Sequence, residues 1–193
     1  MVTWDSFKHS ALFLLVLPAY LWLGVCLCFL NAVGLLLWMA GRREAYMRLA
    51  EFTFAAIHRP FMVLLPWSNS RVLIYGDNAE ELVKEFGCGQ SMIIMNHRGN
   101  LDWMIGLYLN DCGGGIGAAK AIVKRSLLYL PILGFVWWCS DFLCITRDWK
   151  HASQTLLEGY RRQLLYKELG VPYSLALFPE GTRITKKKLL ESQ

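Results

Sequence analysis

The sequence predicts an α/β fold: a mixed sheet with helices on both faces, preceded by an N-terminal hydrophobic membrane-anchoring helix or helical hairpin. No charged residue occurs between Ser10 and Gly41, so the apolar excess is concentrated near the N-terminus. Beyond Trp67, short apolar runs alternate with amphipathic stretches, which is the pattern of an α/β sheet. We therefore divide the chain into residues 1–67, an N-terminal membrane anchor with an amphipathic helix, and residues 68–193, an α/β domain.

The composition narrows the classes of partner. Of the 193 residues, 55% are hydrophobic and 18% charged, against about 45–50% and 25% in average soluble domains. The net charge is +5, and the basic residues are scattered or flank apolar segments. Because nucleic-acid binding needs basic residues clustered beside aromatic ones, we exclude it and expect a membrane surface or a small phosphorylated substrate. The six cysteines form no CxxC pair and are interpreted as reduced, apolar side chains.

The N-terminal apolar run is longer than a bilayer requires. Residues 11–39 would form a straight helix of about 44 Å, whereas the hydrocarbon core measures about 30 Å. The run is therefore either a strongly tilted or kinked span or a re-entrant helical hairpin. Pro18 and Asn31 are the residues at which we expect a break.

Basic residues flank this run unequally. Arg42, Arg43 and Arg48 follow it, and Lys8 precedes it, so a single span would leave the remainder of the chain in the cytosol. Residues 52–67 are too short and too interrupted to span. They predict an amphipathic helix lying on the membrane or on the core, with the membrane preferred.

The order of apolar, polar and turn residues predicts each strand and helix of the α/β domain. Short apolar runs bounded by polar or turn residues predict strands at 72–75, 92–95, 117–123, 142–146 and 173–178. Helical patterns lie between these strands: 79–86 ending at Gly87, 101–109 with Asn100 as its cap, an aromatic stretch up to Trp138, and the amphipathic 152–169.

Polar clusters follow three of the predicted strands. His97 and Asp102 come after the second strand, Arg147 after the fourth, and the FPEGTR segment closes the last. In open α/β sheets, ligands bind in the crevice at the carboxyl ends of the strands. We therefore expect these three clusters to form one site.

The five-residue spacing of His97 and Asp102 suits a base and the group that orients it. The loop can bring the carboxylate back to one imidazole nitrogen, which fixes the tautomer and raises the basicity of the other nitrogen. No GxSxG elbow accompanies the pair, so the nucleophile would be the substrate's own hydroxyl. The alternative is a loop histidine near an aspartate that merely favours a helix start.

Arg147 and Arg183 offer permanently charged, bidentate donors for a phosphate group. Their alternative role is a surface ion pair, for example with Asp148 and Glu180 respectively. Gly181 allows backbone N–H groups to approach a ligand closely, which would suit an oxyanion.

Three segments resemble one known family in order and in separation. NHRGNLDW is similar to the HX4D motif of the glycerophospholipid acyltransferases, LCITRDW resembles their second block, and FPEGTR their third. The likeness is to the 1-acylglycerol-3-phosphate (lysophosphatidic acid) acyltransferase family, especially the eukaryotic type with Trp after the motif aspartate. It covers about residue 90 to the end, and the apolar N-terminus fits.

The resemblance implies an acyl-CoA-dependent enzyme of phospholipid biosynthesis. It would acylate the sn-2 hydroxyl of 1-acylglycerol-3-phosphate to make phosphatidic acid, on an endoplasmic reticulum membrane with its catalytic domain facing the cytosol. His97 would be the general base and Asp102 its orienting group. The implied acceptor-binding residues are Lys124, Arg147, Glu180, Gly181, Thr182 and Arg183. Acyl-CoA is a co-substrate, and no cofactor or metal is implied.

One departure from the family pattern leaves alternatives open. Family members continue to a fourth apolar block that completes the sheet, whereas this chain stops at Gln193, so we expect a fragment or a domain without its last strands. The acceptor could also be another lysophospholipid, such as lysocardiolipin. A catalytically inactive, membrane-associated homologue is the competing class, and the missing nucleophile elbow argues against a lipid hydrolase.

Overall fold

A computed structural model describes residues 4–146, 148–181 and 190 of the chain. The helices are α1 (Trp4–Met39), α2 (Arg43–Met62), α3 (Leu64–Trp67), α4 (Ala79–Glu85), α5 (Asp102–Cys112), α6 (Leu133–Cys139) and α7 (Trp149–Glu168). The strands are β1 (Gln90–Ile94), β2 (Ala119–Lys124), β3 (Leu143–Ile145) and β4 (Tyr173–Leu177). Two 3-10 turns, Ile116–Ala118 and Arg125–Tyr129, flank β2.

The four strands form one sheet in the order β1-β4-β2-β3. Each strand pairing in the described part of the chain is parallel. Ile94 of β1 lies beside Leu177 of β4, and Lys124 of β2 lies beside Ile145 of β3. The predicted α/β class with an apolar N-terminal helix is confirmed. Because the strands are parallel, their carboxyl ends share one edge of the sheet, and the loops that follow them start from that edge.

Two apolar clusters hold the elements together. One contains Leu27 of α1, Phe54 and Ile57 of α2, Met104 of α5 and Val136 of α6, all at most 7% exposed. The other lies between α7 and the sheet, with its buried side chains contributed by Met47, Leu143, Tyr166, Val171, Tyr173 and Leu175. Burial of these side chains supplies the main driving force that fixes α5 and α7 against the strands.

Helix α1 runs through Pro18 and Asn31 without interruption, so the break expected there does not occur. Its partner is α2, which returns antiparallel after a turn at residues 40–42. Tyr20 donates to the carbonyl of Ile57 at 2.9 Å, and Asn31 donates to Thr53 Oγ1 at 2.9 Å. The Asn31 amide thus satisfies a buried polar group and fixes the register of the two helices.

Helices α1 and α2 differ in how much of their apolar surface is buried. The stretch Val16–Met39 is long and apolar enough to cross a membrane, alone among the helices of the described residues, and its outer side chains are exposed, Trp22 and Phe29 among them. The apolar side of helix α2 packs on the core, where Phe54 and Ile57 are fully buried.

Two details of the α/β domain differ from prediction. Residues 71–75 form no strand, because they have no ladder partner in the part of the chain that the structure describes, and Leu73 and Tyr75 are exposed. Helix α5 begins at Asp102 with Leu101, not Asn100, at its N-cap position. The other predicted strands and helices are present, with small differences at their ends.

Candidate active site

The loop between β1 and α5 carries the His97–Asp102 pair. The pairing of β1 with β4 continues one residue beyond the strand, since the Met95 N–H donates to the Leu177 carbonyl at 3.0 Å. The chain then leaves the sheet edge, and α5 starts at Asp102. The loop is therefore anchored at one end by the sheet and at the other by a helix packed on the core.

His97 and Asp102 are in direct contact. His97 Nδ1 lies 2.9 Å from Asp102 Oδ2, and the side chains are 27% and 19% exposed. A carboxylate only accepts hydrogen bonds, so the proton of this bond belongs to Nδ1 and the lone pair of the neutral imidazole is on Nε2. Within residues 4–146 and 148–181, Nε2 has no hydrogen-bond partner.

The same carboxylate oxygen accepts two further hydrogen bonds. The backbone N–H groups of Arg98 and Gly99 each donate to Asp102 Oδ2, at 2.8 Å. Three donors therefore converge on one oxygen and fix the carboxylate against the loop that carries the histidine. A Cβ at Gly99 would lie 3.0 Å from Asp102 Oδ1, so a larger residue here would require the carboxylate to move by a few tenths of an ångström.

Opposing effects act on the Asp102 carboxyl. Desolvation raises its pKa, but the hydrogen bonds from His97, Gly99 and Arg98 together outweigh it, and the net pKa is below its ordinary value. The depressed pKa keeps Asp102 ionised throughout the neutral range. A permanently ionised carboxylate is the partner that an imidazole needs if it is to accept a proton at its other nitrogen.

A contact not expected from the sequence lies on the other side of the histidine. The ring of Phe178, the residue after β4, is 4.7 Å from the His97 ring between centroids, with the planes at 40°. Phe178 opens the FPEGTR segment, and its place at the end of the predicted strand 173–178 was the available indication. The contact itself could not be inferred, since it requires β1 and β4 to be neighbours.

The other predicted site residues fall into two groups. Lys124 is the exposed last residue of β2, and Glu180 and Gly181 lie in the exposed turn after β4, so these three are at the sheet edge from which the His97 loop starts. Gly181 has φ of +61°, a left-handed conformation that favours glycine. Arg147, Thr182 and Arg183 lie outside the described residues.

A second His–Asp pair is present at the start of α7. His151 Nδ1 contacts Asp148 Oδ2, and Asp148 caps the helix by accepting from the Lys150 N–H at 3.1 Å. These side chains are 70% and 57% exposed. Over the described ranges, no group of three or more His, Cys, Asp or Glu side chains is arranged to hold a metal ion.

Comparison with known proteins identifies the family of this chain. Residues 73–193 match the family described as Acyltransferase. The chain is 34% identical over 127 residues to 1-acyl-sn-glycerol-3-phosphate acyltransferase 2 of Arabidopsis thaliana, which is 66% of this chain and 31% of that protein. It is 30% identical over 166 residues to the human gamma form, which is 86% of this chain and 43% of that protein.

A further relative is the bovine delta form of the same enzyme, 27% identical over 154 residues, or 80% of this chain and 39% of that protein. The chain thus spans less than half the length of these curated relatives. No solved structure matches the chain.

Proposed function

Because this chain belongs to the acyltransferase family, we propose that it transfers a fatty acyl chain from acyl-CoA to the sn-2 hydroxyl of 1-acylglycerol-3-phosphate, making phosphatidic acid. The observation that carries the proposal is the His97–Asp102 pair, held by three hydrogen bonds on one carboxylate oxygen. The relatives, which are 1-acyl-sn-glycerol-3-phosphate acyltransferases, support the choice of acceptor.

In the proposed reaction, Nε2 of His97 accepts the proton of the acceptor hydroxyl as its oxygen attacks the thioester carbonyl carbon. Asp102 keeps the proton on Nδ1 and stabilises the imidazolium that forms. The C–S bond then breaks, and the coenzyme A sulfur leaves with the proton from Nε2. Atoms and charge balance: the new ester and free coenzyme A are the products, and His97 returns to its neutral form.

The acceptor phosphate is proposed to bind along the sheet edge beside this pair. Lys124, at the end of β2, and the turn with Glu180 and Gly181 after β4 both open onto that edge. Arg147, Thr182 and Arg183 complete the proposed pocket, in which the two guanidiniums provide bidentate contacts. Glycine at position 181 keeps the backbone accessible to a phosphate or oxyanion oxygen.

The proposed location is the cytosolic side of the endoplasmic reticulum membrane. Helix α1 supports the membrane attachment in this proposal, since its buried side packs on α2 while residues such as Trp22, Phe29 and Met39 are exposed on its outer side. Arg43 lies over the Trp38 ring, 5.3 Å from its centroid, which would suit the boundary between acyl chains and headgroups. Fractionation of cells that express the chain, with carbonate and detergent extraction, tests the attachment.

The decisive assay measures coenzyme A release by the detergent-solubilised chain. Release from oleoyl-CoA should require 1-acylglycerol-3-phosphate and should produce phosphatidic acid in equal amount by mass spectrometry. Acceptor-independent release would identify a thioesterase instead, and release only with lysocardiolipin would reassign the acceptor. No turnover from a folded sample would contradict the proposal and favour the inactive-homologue alternative.

A further inference from the structure

The His97 ring is held on two sides, and only one of them is polar. Asp102 accepts a hydrogen bond from Nδ1, and Phe178 lies against the ring with a centroid separation of 4.7 Å. The second contact is built by backbone pairing, since the Met95 N–H bond to the Leu177 carbonyl continues the β1–β4 ladder to the base of the loop. Phe178 is therefore brought to His97 by the sheet itself.

A single hydrogen bond does not determine the orientation of an imidazole. The bond from Nδ1 to Asp102 restrains one ring atom through a single distance, so the side chain keeps some freedom of rotation about χ1 and χ2. A ring pressed against another ring at 40° loses that freedom, because rotation would break the contact or cause a clash. The direction of Nε2 is then set by both neighbours together.

We propose that Phe178 is a positioning residue for acyl transfer, whose ring holds the His97 imidazole so that Nε2 points at the acceptor hydroxyl. The inference rests on the proposed function of His97 as the base. It adds a residue of the FPEGTR segment to the environment of the histidine, beside the phosphate-binding role proposed for the rest of that segment. The two sequence motifs would then act on the same proton transfer.

The aromatic ring also has an electrostatic consequence. His97 becomes positively charged as it takes the hydroxyl proton, and the face of an aromatic ring attracts a nearby cation. Leucine could occupy much of the same volume but has no such face, whereas tyrosine keeps both the volume and the ring. The three side chains therefore separate packing from the aromatic contribution.

The test compares Phe178→Leu, Phe178→Met and Phe178→Tyr in the full chain, by the coenzyme A release assay. We expect Leu and Met to lower kcat about tenfold while the KM of each substrate changes by less than about twofold, because the histidine is misaligned and the binding groups are intact. Phe178→Tyr should restore most of kcat. Phe135→Leu is the matched control, since it removes the Phe135–Trp138 contact of α6, with centroids 5.9 Å apart.

An independent readout comes from nitrogen NMR of the histidine rings in detergent, assigned with His97→Gln. Wild-type protein should show one tautomer of His97, protonated at Nδ1, and Phe178→Leu should show broadening or a mixture of tautomers with other histidine signals unchanged. Unaltered His97 signals and wild-type kcat in the Leu and Met variants would overturn the positioning role, as would a change in KM alone.

The failures of the two proposals can be told apart. If the wild-type chain turns over no acyl donor, the proposed function fails, and the NMR comparison still decides whether Phe178 orients the ring. If the wild type is active and the Phe178 variants match it, only the positioning role fails. Thermal unfolding of each variant identifies any that do not fold, and either Leu or Met then serves as the apolar substitution.

Discussion

Among the side chains that the structure describes, two histidines contact an aspartate through Nδ1, and they lie in opposite surroundings. At His97 the carboxylate oxygen also accepts two backbone N–H bonds, and a phenylalanine ring covers part of the imidazole. At His151 both partners are mostly exposed, and Asp148 serves as the N-cap of α7. A His–Asp hydrogen bond alone therefore does not define a catalytic site.

The difference lies in how firmly each carboxylate is held. Asp102 is fixed by three donors and by the helix that it starts, so the oxygen that accepts the His97 hydrogen bond has one defined position. Asp148 can exchange its partners for water, since an exposed pair gains little from its charges. The pKa of Asp148 is nevertheless lowered, by hydrogen bonds from His151 and Lys150, which shows that a depressed carboxyl pKa also fails to separate the two pairs.

The largest expected difference comes from removing each imidazole in turn. His97→Ala should lower kcat by about 10³- to 10⁴-fold, because it removes the group that accepts the hydroxyl proton. His151→Ala is the matched control and should leave kcat unchanged. The measurement is coenzyme A release at saturating acyl-CoA and acceptor. Equal losses in the two variants would show that the His151 pair matters as much for turnover as the His97 pair.

The second prediction separates the charge of Asp102 from its geometry. Because all three hydrogen bonds converge on one oxygen, an amide oxygen at that place could accept them all, so Asp102→Asn keeps the arrangement and removes the charge. We expect a loss in kcat of about 10²-fold for Asn and about 10³-fold for Ala, which removes both. Equal losses in Asn and Ala would mean that orientation contributes nothing.

The third prediction concerns the glycine that lets the loop approach the carboxylate. Gly99→Ala places a Cβ 3.0 Å from Asp102 Oδ1, so the carboxylate must move by a few tenths of an ångström, and kcat should fall about tenfold. Gly76→Ala is the control, since its Cβ would meet only Leu82 at an ordinary 3.8 Å. Unchanged kcat in Gly99→Ala would show that the loop can relax.

Much of the fold and part of the site could be read from the sequence. Strands β1 and β4 were predictable because a short apolar run bounded by polar residues is typical of a buried strand. The His97–Asp102 contact was also predictable, because a spacing of five residues allows the loop to bring the two side chains together. The packing of α2 on the core was not predictable from the sequence. An amphipathic helix has the same sequence pattern whether its apolar side faces a membrane or, as with Phe54 and Ile57, a protein core.

The surroundings of the histidine depend on information that one sequence does not carry. The bonds from Arg98 and Gly99 depend on the conformation of a loop, and any residue type has a backbone N–H to donate. The Phe178 contact depends on β4 lying between β1 and β2, although β4 is the last of the four described strands along the chain. Tertiary arrangement, not residue type, therefore distinguishes the His97 pair from the His151 pair.

The smallest expected effect is the loss of the exposed aspartate. Asp148→Ala removes the N-cap bond to the Lys150 N–H, so the midpoint of thermal unfolding should fall by a few degrees, as for other lost caps, with kcat unchanged. Asp148→Asn should restore the midpoint, because asparagine also caps helices, although it removes the charge beside His151. A loss of kcat in Asp148→Asn at an unchanged midpoint would mean that this exposed pair takes part in the reaction, and that burial and backbone donors are a poor guide to which histidine acts as the base.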